Sequence, residues 1–342
     1  MTWLRKPKHP AYHLRSNKAI DRLVLVELLR TFELTHSLKE HLYIGFGGPF
    51  LEDFRLLSNV FPNLDMVSVE SDGETYRRQK FHQCSKKVKL LSCRFEEFLS
   101  TLFPSEKPTI VWVDYVDAGR QELTEVSGIA RQALEWSVLR VTLMAETPVY
   151  REVKLRRHQQ ILPSYKKKDF NEFRDDYLKA MTVAEVSYDH DLFTWENFKE
   201  ENFPWLLSHM VLSVLESACS KPKTFLPLQV AKYSDGTIML SITGVFCPEN
   251  NRDALLGHFK ATSPLYVTAS GLIDEIDVPV LSTKERLKLE EILPTETGDG
   301  TVCVTALGYL TEGDDSEEVS IAKMSNYERY SRLYPYFARM VP

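Results

Sequence analysis

Cysteine is scarce in this chain. Five are scattered over 342 residues, at Cys84, Cys93, Cys219, Cys247 and Cys303, and no two form C-x-x-C. An odd, dispersed set excludes a disulfide framework and gives no zinc signature. A reduced, cytoplasmic setting is expected. Long apolar runs are also missing, and nothing approaches the roughly 18 residues that a membrane-crossing helix needs. The first eighteen residues carry Arg5, Lys6, Lys8, Arg15 and Lys18 and no acid, and no apolar core of a signal peptide follows them. Basic charge is not in excess: 42 Lys and Arg stand against 48 Asp and Glu, a net charge of −6. That balance argues against a duplex-coating protein. There is no G-x-S-x-G, H-E-x-x-H or Walker sequence, so hydrolase, zinc-protease and NTPase readings lack support.

What is present is an ordinary globular composition, 43% hydrophobic and 26% charged. Ile20, Val24, Leu28 and Phe32 recur every fourth residue and predict a helix over 19–35. Short apolar runs then alternate with helical periodicity. LYIGF (42–46), MVSVE (66–70), VKLLSC (88–93), TIVWVDYV (109–116) and VLRVTLMA (138–145) read as five strands, with four helices between them. That alternation predicts an α/β fold, a parallel sheet with helices on both faces. Residues 150–218 read as helical, without a strand. LPLQVAKY (226–233) and TIMLSITGVF (237–246) predict a hairpin, with Asp235-Gly236 supplying the positive-φ positions of its turn. The expected domains are an α/β body over 1–146 and 223–247, a helical insertion over 147–222, and a C-terminal α+β appendage over 248–342. The appendage includes a helix around 282–292 with a capping box, Ser282 to Glu285, and holds an acidic stretch from Glu290 to Glu318. Its aromatic tail reads YERYSRLYPYF.

Chemistry-bearing residues gather at strand ends. Gly45, Phe46, Gly47 and Gly48 form a strand-to-helix turn where glycine permits a tight bend and close ligand approach. Glu70 ends the next strand, 22 residues after Gly48. An acid there can accept both hydroxyls of a ribose. Together these predict a nucleoside-type ligand. Asp114 and Tyr115 close the fourth strand, with Asp117 beyond them. Asp114 could orient or deprotonate an acceptor, Tyr115 could stack or donate, and Asp117 could bind substrate or serve the local structure. Arg15, Asn17 and Lys18 precede the first helix and are candidate acceptor contacts. Arg77, Arg78 and Lys80 read as a solvated helix face. Asp189-His190-Asp191 reads as a loop cap, since adjacent residues converge poorly on a metal. No metal site is expected, and His158 and His209 stand alone.

These residues resemble class I S-adenosylmethionine-dependent methyltransferases. The resemblance covers about 36–146 and the hairpin at 226–246. It implies a Rossmann-like, seven-stranded methyltransferase sheet, parallel with a terminal antiparallel hairpin. The family's first strand reads acid-x-Gly-x-Gly-x-Gly; Gly45 and Gly47 match, while Tyr43 replaces the acid and Pro49 the third glycine. Glu70 matches the ribose-binding acid. The resemblance implies S-adenosylmethionine as cofactor, held by Gly45, Phe46, Gly47, Gly48, Glu70, Ser71, Arg94 and Phe95. Cys93-Arg94 stands where an acid often meets the adenine. YHLRSNKAIDRLVLVELL followed by YIGFGGPF is similar to bacterial O-methyltransferases of undefined substrate.

Other readings stay open. The departures at Tyr43, Pro49 and Cys93-Arg94 motivate a degenerate methyltransferase fold that binds a protein partner through its appendage, as part of a bacterial multi-gene system. Arg156-Arg157-His158 and Lys166-Lys167-Lys168, with Tyr165, Phe170 and Phe173 nearby, motivate nucleic-acid binding through 151–180, which is less favoured. NAD-dependent dehydrogenases fit less well, because the third glycine of G-x-G-x-x-G falls on Phe50. DNA amino-methyltransferases carry (D/N/S)-P-P-(Y/F) at the fourth strand, which this chain lacks. The methyl acceptor is not named by the sequence.

Overall fold

The computed structural model describes residues 15–103, 106–149, 169–184, 186–296, 298–311 and 316–335, with the backbone of 153–155 and 160–162. Arg156-Arg157-His158, Tyr165 and Lys166-Lys167-Lys168 lie outside the described residues. The chain divides into two compact units, one of residues 28–232 and 237–274, the other of residues up to 27, 233–236 and 275 onward.

Helix α1 (Ser16–Glu33) comes first, and its four-residue apolar repeat is buried: Ile20, Val24, Leu28 and Phe32 are all at most 2% exposed. Then β1 (Leu42–Gly45), α2 (Glu52–Val60), β2 (Asp65–Glu70), α3 (Gly73–His82), β3 (Val88–Ser92), α4 (Phe95–Thr101), β4 (Thr109–Asp114), α5 (Arg120–Gln132) and β5 (Val138–Met144) alternate as the periodicity predicts. The pairs β1–β2, β1–β4, β2–β3 and β4–β5 are parallel.

The stretch read as strandless contains two short strands, β6 (Val153–Leu155) and β7 (Gln160–Leu162), paired antiparallel with Val153 opposite Leu162. Three residues are too few for alternation to show against so much charge. Helices α6 (Phe170–Met181) and α7 (Phe203–Ala218) follow, then β8 (Lys223–Ser234), β9 (Ile238–Pro248), α8 (Arg252–Thr262) and the edge strand β10 (Asp274–Ile276). The sheet therefore has eight strands, in the order β10-β8-β9-β5-β4-β1-β2-β3, and β9 runs antiparallel to β5. In the β8–β9 turn only Gly236 has positive φ, at 105°. Asp235 instead uses its carboxylate as an acceptor for the backbone N–H of Lys18 at 2.9 Å.

One face of the sheet is apolar. Ile44, Val67, Val111, Val113, Leu139 and Val141 form a single buried cluster with Leu123, Val126 and Ile129 of α5 and Met210, Val211 and Val214 of α7. The alternate residues of the same strands are more polar. Arg140, 1% exposed, donates from Nη1 to Thr243 Oγ1 at 2.6 Å and to Gln229 Oε1 at 3.2 Å, and from Nη2 to Ser241 Oγ at 2.7 Å. Its guanidinium lies 5.2 Å from the Trp112 ring centre, and Trp112 Nε1 donates to Thr142 Oγ1 at 3.1 Å. A buried charge needs such hydrogen bonds.

In the other unit, α9 (Thr283–Glu290), α10 (Thr301–Leu307) and α11 (Glu317–Tyr330) surround Leu289, Cys303, Met324 and Tyr327. The capping box of α9 forms as read, with Ser282 N–H donating to Glu285 Oε2 at 2.6 Å. Among the described residues, no helix is long and apolar enough to cross a membrane.

A histidine stack closes the far end of α1. His36 lies between Phe32, at 4.8 Å, and Trp136, at 4.0 Å. Both nitrogens of His41 face backbone carbonyls, of Ser37 at 3.1 Å and of Trp136 at 3.0 Å. Burial lowers the pKa of His36, helped by His41 and His258. Burial also lowers that of His41, against its two hydrogen bonds. Both folded values thus lie below the 6.5 near which the unfolded chain takes up protons. Stability is then full above that pH and falls as pH drops below it toward the lowered folded values. Thermal melts from pH 7.5 to 5.5 should show this fall, and His36→Phe, which keeps the stack, should make it shallower.

Candidate active site

Strand order reverses at β1, which has β2 on one side and β4 on the other. In open α/β sheets the ligand crevice lies outside the carboxyl ends of the strands at such a point. The carboxyl end of β1 delivers Phe46, Gly47 and Gly48. β2 delivers Glu70 and Ser71, β3 leads to Arg94 and Phe95, and β4 delivers Asp114, Tyr115 and Asp117. The fold therefore brings the predicted strand-end residues to one edge of the sheet. Arg15, Asn17 and Lys18 belong to the other unit. There Asn17 is buried and structural: its Nδ2 donates to Ser234 O at 2.9 Å and its Oδ1 accepts from Val278 N at 3.0 Å.

The glycines differ in what they make room for. A Cβ on Gly45 would meet the Tyr43 hydroxyl at 2.8 Å and Trp112 O at 3.3 Å. Gly45 is thus required by Tyr43, whose hydroxyl donates to Asp53 in the first turn of α2. Gly47 has φ of +70° and its Cβ would lie 2.5 Å from Leu51 Cδ2 and 2.8 Å from Phe54. Gly48, φ +52°, has nothing within 4 Å of its Cβ position. Of these three, only Gly48 opens onto free space. Two variants separate the roles. Gly47→Ala should destabilise the fold by about 1–3 kcal/mol through strain and overlap. Gly48→Ala should melt closer to the wild type yet lose ligand affinity, because its methyl enters the crevice. Scanning calorimetry and ligand titration of both proteins would show the contrast.

Glu70 is half-exposed at the end of β2. Its Oε1 accepts from Asp72 N at 2.7 Å, and Asp72 Oδ1 in turn caps α3 by accepting from Thr75 N at 2.8 Å. Asp114 is half-exposed at the end of β4. Tyr115 is buried, and its hydroxyl donates to Glu125 Oε2 at 2.7 Å, with Gln121 Nε2 at 3.1 Å from the other oxygen. That bond turns the phenol inward, so Tyr115 serves as a wall. Its ring lies 5.5 Å from Phe46, and Phe46 lies 5.2 Å from Phe95. Arg94 and Ser71 are exposed, and Asp117 is half-exposed.

Three buried side chains escape the sequence reading. Gln79 and Ser68 hold the glycine turn, and Glu125 holds Tyr115. Their only signals were a serine inside an apolar strand, a glutamine four residues after buried Thr75 on α3, and a glutamate on the buried face of α5. Asp189 caps a 3-10 turn, accepting from Asp191 N at 3.0 Å, as the loop-cap reading expects. His209 is tied to its own helix, with Nδ1 2.9 Å from Trp205 O.

These residues fit an adenosine-bearing cofactor. Open space over Gly48, a half-exposed carboxylate one strand away and an aromatic wall of Phe46, Phe95 and Tyr115 stand at the switch point.

A family model described as "Putative O-methyltransferase" matches residues 10–342. No curated protein sequence matches the chain. Among solved structures, one described as a probable spermidine synthase from Corynebacterium glutamicum is 14% identical, with 38% of this chain and 50% of that one covered and a TM-score of 0.33. An O-methyltransferase family protein from Burkholderia thailandensis is 14% identical, with coverage of 68% and 58% and a TM-score of 0.33. A 16S rRNA adenine methyltransferase from Catenulisporales acidiphilia, solved with S-adenosylmethionine, is 12% identical, with coverage of 65% and 91% and a TM-score of 0.35. The chain spans about half the length of the first of these.

Proposed function

The chain belongs to this O-methyltransferase family, and from that premise we propose that it moves a methyl group from S-adenosylmethionine to an oxygen of a small or macromolecular acceptor. The observation that carries the reading is the placement of two half-exposed carboxylates, Glu70 and Asp114, at strand ends on either side of the Gly47-Gly48 turn.

When bound, S-adenosylmethionine would supply an electrophilic methyl carbon, its C–S bond breaking to leave the thioether. Glu70 holds the ribose hydroxyls as an acceptor of two hydrogen bonds. Gly48 leaves the crevice open, and Phe46, with Phe95 and Tyr115 behind it, forms an apolar wall that limits water. Asp114 would orient the acceptor hydroxyl and accept its proton, which makes the oxygen a better nucleophile toward that methyl. Asp117, half-exposed on the loop after β4, is a further acid for holding the acceptor. Ser71 and Arg94, both exposed beside the same strand ends, complete the proposed cofactor contacts.

Crystals grown with S-adenosylhomocysteine test the reading. Adenosine density with its ribose beside Glu70 supports it. Density elsewhere, or none at saturating ligand, counts against it.

A further inference from the structure

The glycine turn is gripped from below by a residue that the sequence conceals in a charged helix. Gln79 lies on α3 between exposed Arg78 and Lys80, yet is fully buried. Its Nε2 donates to Phe46 O at 2.7 Å and to Gly48 O at 2.9 Å. Its Oε1 accepts from Ser68 Oγ at 3.0 Å, a hydroxyl that also lies 3.1 Å from Phe46 O. A carboxamide has two N–H donors and one oxygen, and here each has a partner. Leucine, methionine or ionised glutamate at this place would leave Gly48 O without this donor and Phe46 O with the Ser68 hydroxyl alone.

The grip dictates where the turn points its other groups. A trans peptide is planar, so its C=O and N–H face opposite ways. Holding Phe46 O inward turns the Gly47 N–H outward. Holding Gly48 O inward involves a peptide whose nitrogen belongs to Pro49, which has no N–H to strand. Neither the Gly47 nor the Gly48 N–H takes part in a backbone–backbone hydrogen bond among the described residues. The turn also runs through the left-handed region: Gly47, Gly48 and Leu51 have φ of 70°, 52° and 52°. A non-glycine residue in that region persists only where its surroundings hold it there. Finally, α3 starts directly after Glu70, and Asp72 couples the two through the Glu70 Oε1 and Thr75 N bonds. Gln79 therefore links the turn to the element that carries the acid.

Resting on the cofactor reading above, we propose that Gln79 is a positioning residue for the cofactor: by fixing the Phe46 and Gly48 carbonyls it sets the Gly47-Gly48 turn in register with Glu70. Gln79→Met keeps the volume and removes both donors. On the full chain, the affinity for S-adenosylhomocysteine is measured by calorimetry. The turn itself is followed by hydrogen exchange at the Leu51 amide, which donates to Gly47 O at 2.9 Å. The expected result is about tenfold weaker binding and about tenfold faster Leu51 exchange, with β4 and β5 amides unchanged. Unchanged affinity and exchange overturn the proposal, as does faster exchange across the whole sheet, which would mark a merely structural role. If Gln79→Met fails to fold, Ser68→Ala decides. About two- to fivefold weaker binding with faster Leu51 exchange supports the proposal, and wild-type values overturn it. A wild type that binds no ligand removes the cofactor reading, and the Leu51 exchange still decides whether Gln79 fixes the turn.

Discussion

Asp114→Asn should lower kcat by about 10²- to 10⁴-fold on an oxygen acceptor that the wild type methylates, the usual range for a positioned general base. The change is small in volume and leaves Tyr115 N–H bonded to Thr142 O at 2.9 Å, so the end of β4 should keep its shape. Affinity for S-adenosylhomocysteine should stay within about threefold of the wild type, because an amide preserves most neutral contacts while losing the ability to accept a proton. Loss confined to kcat marks an interaction made in the transition state. The rate of the variant should also recover partly with an acceptor whose hydroxyl is already ionised at the assay pH. A variant with wild-type kcat would remove Asp114 from the chemistry and leave it as a surface acid.

Glu70→Ala should weaken S-adenosylhomocysteine binding by about 10- to 100-fold, the range for losing hydrogen bonds to a charged acceptor. Its effect on folding should be smaller. The carboxylate gives up its bond from Asp72 N, and Asp72 still caps α3 through Thr75 N. Glu70→Gln should fall between the two, since an amide oxygen still accepts one hydroxyl. Titration calorimetry and thermal melts on the same samples separate affinity from stability. Equal losses in both would mean that Glu70 acts by holding α3 in place.

The two acids could be read from sequence because strand ends are legible. Apolar runs such as MVSVE and TIVWVD stop at an acid, and in a parallel sheet every such stop lies at the same edge. The closing hairpin was legible for a related reason, with two long runs around Ser-Asp-Gly. Elements of three residues were not. β6, β7 and β10 are too short to show a period: β10 turns the expected seven strands of the main sheet into eight, and β6 and β7 form a separate pair. The glycines show a second limit. Their spacing pointed to a ligand, but Gly45 answers to the Tyr43 hydroxyl and Gly47 to Leu51 and Phe54. Tyr115 shows the same limit from the other side. A tyrosine beside a strand-end acid reads as catalytic until Glu125, ten residues on, takes its hydroxyl. Gln79, Ser68, Glu125 and Arg140 draw their roles from partners that only the fold brings near. A polar residue inside an apolar pattern marks such a place without naming its partner.

The central claim is that the β1, β2 and β4 ends form a site for S-adenosylmethionine. Titration of the full chain with S-adenosylhomocysteine tests it most directly. The account predicts one site per chain, with binding that weakens sharply in Glu70→Ala. No heat at millimolar ligand, or binding that Glu70→Ala leaves unchanged, would contradict it.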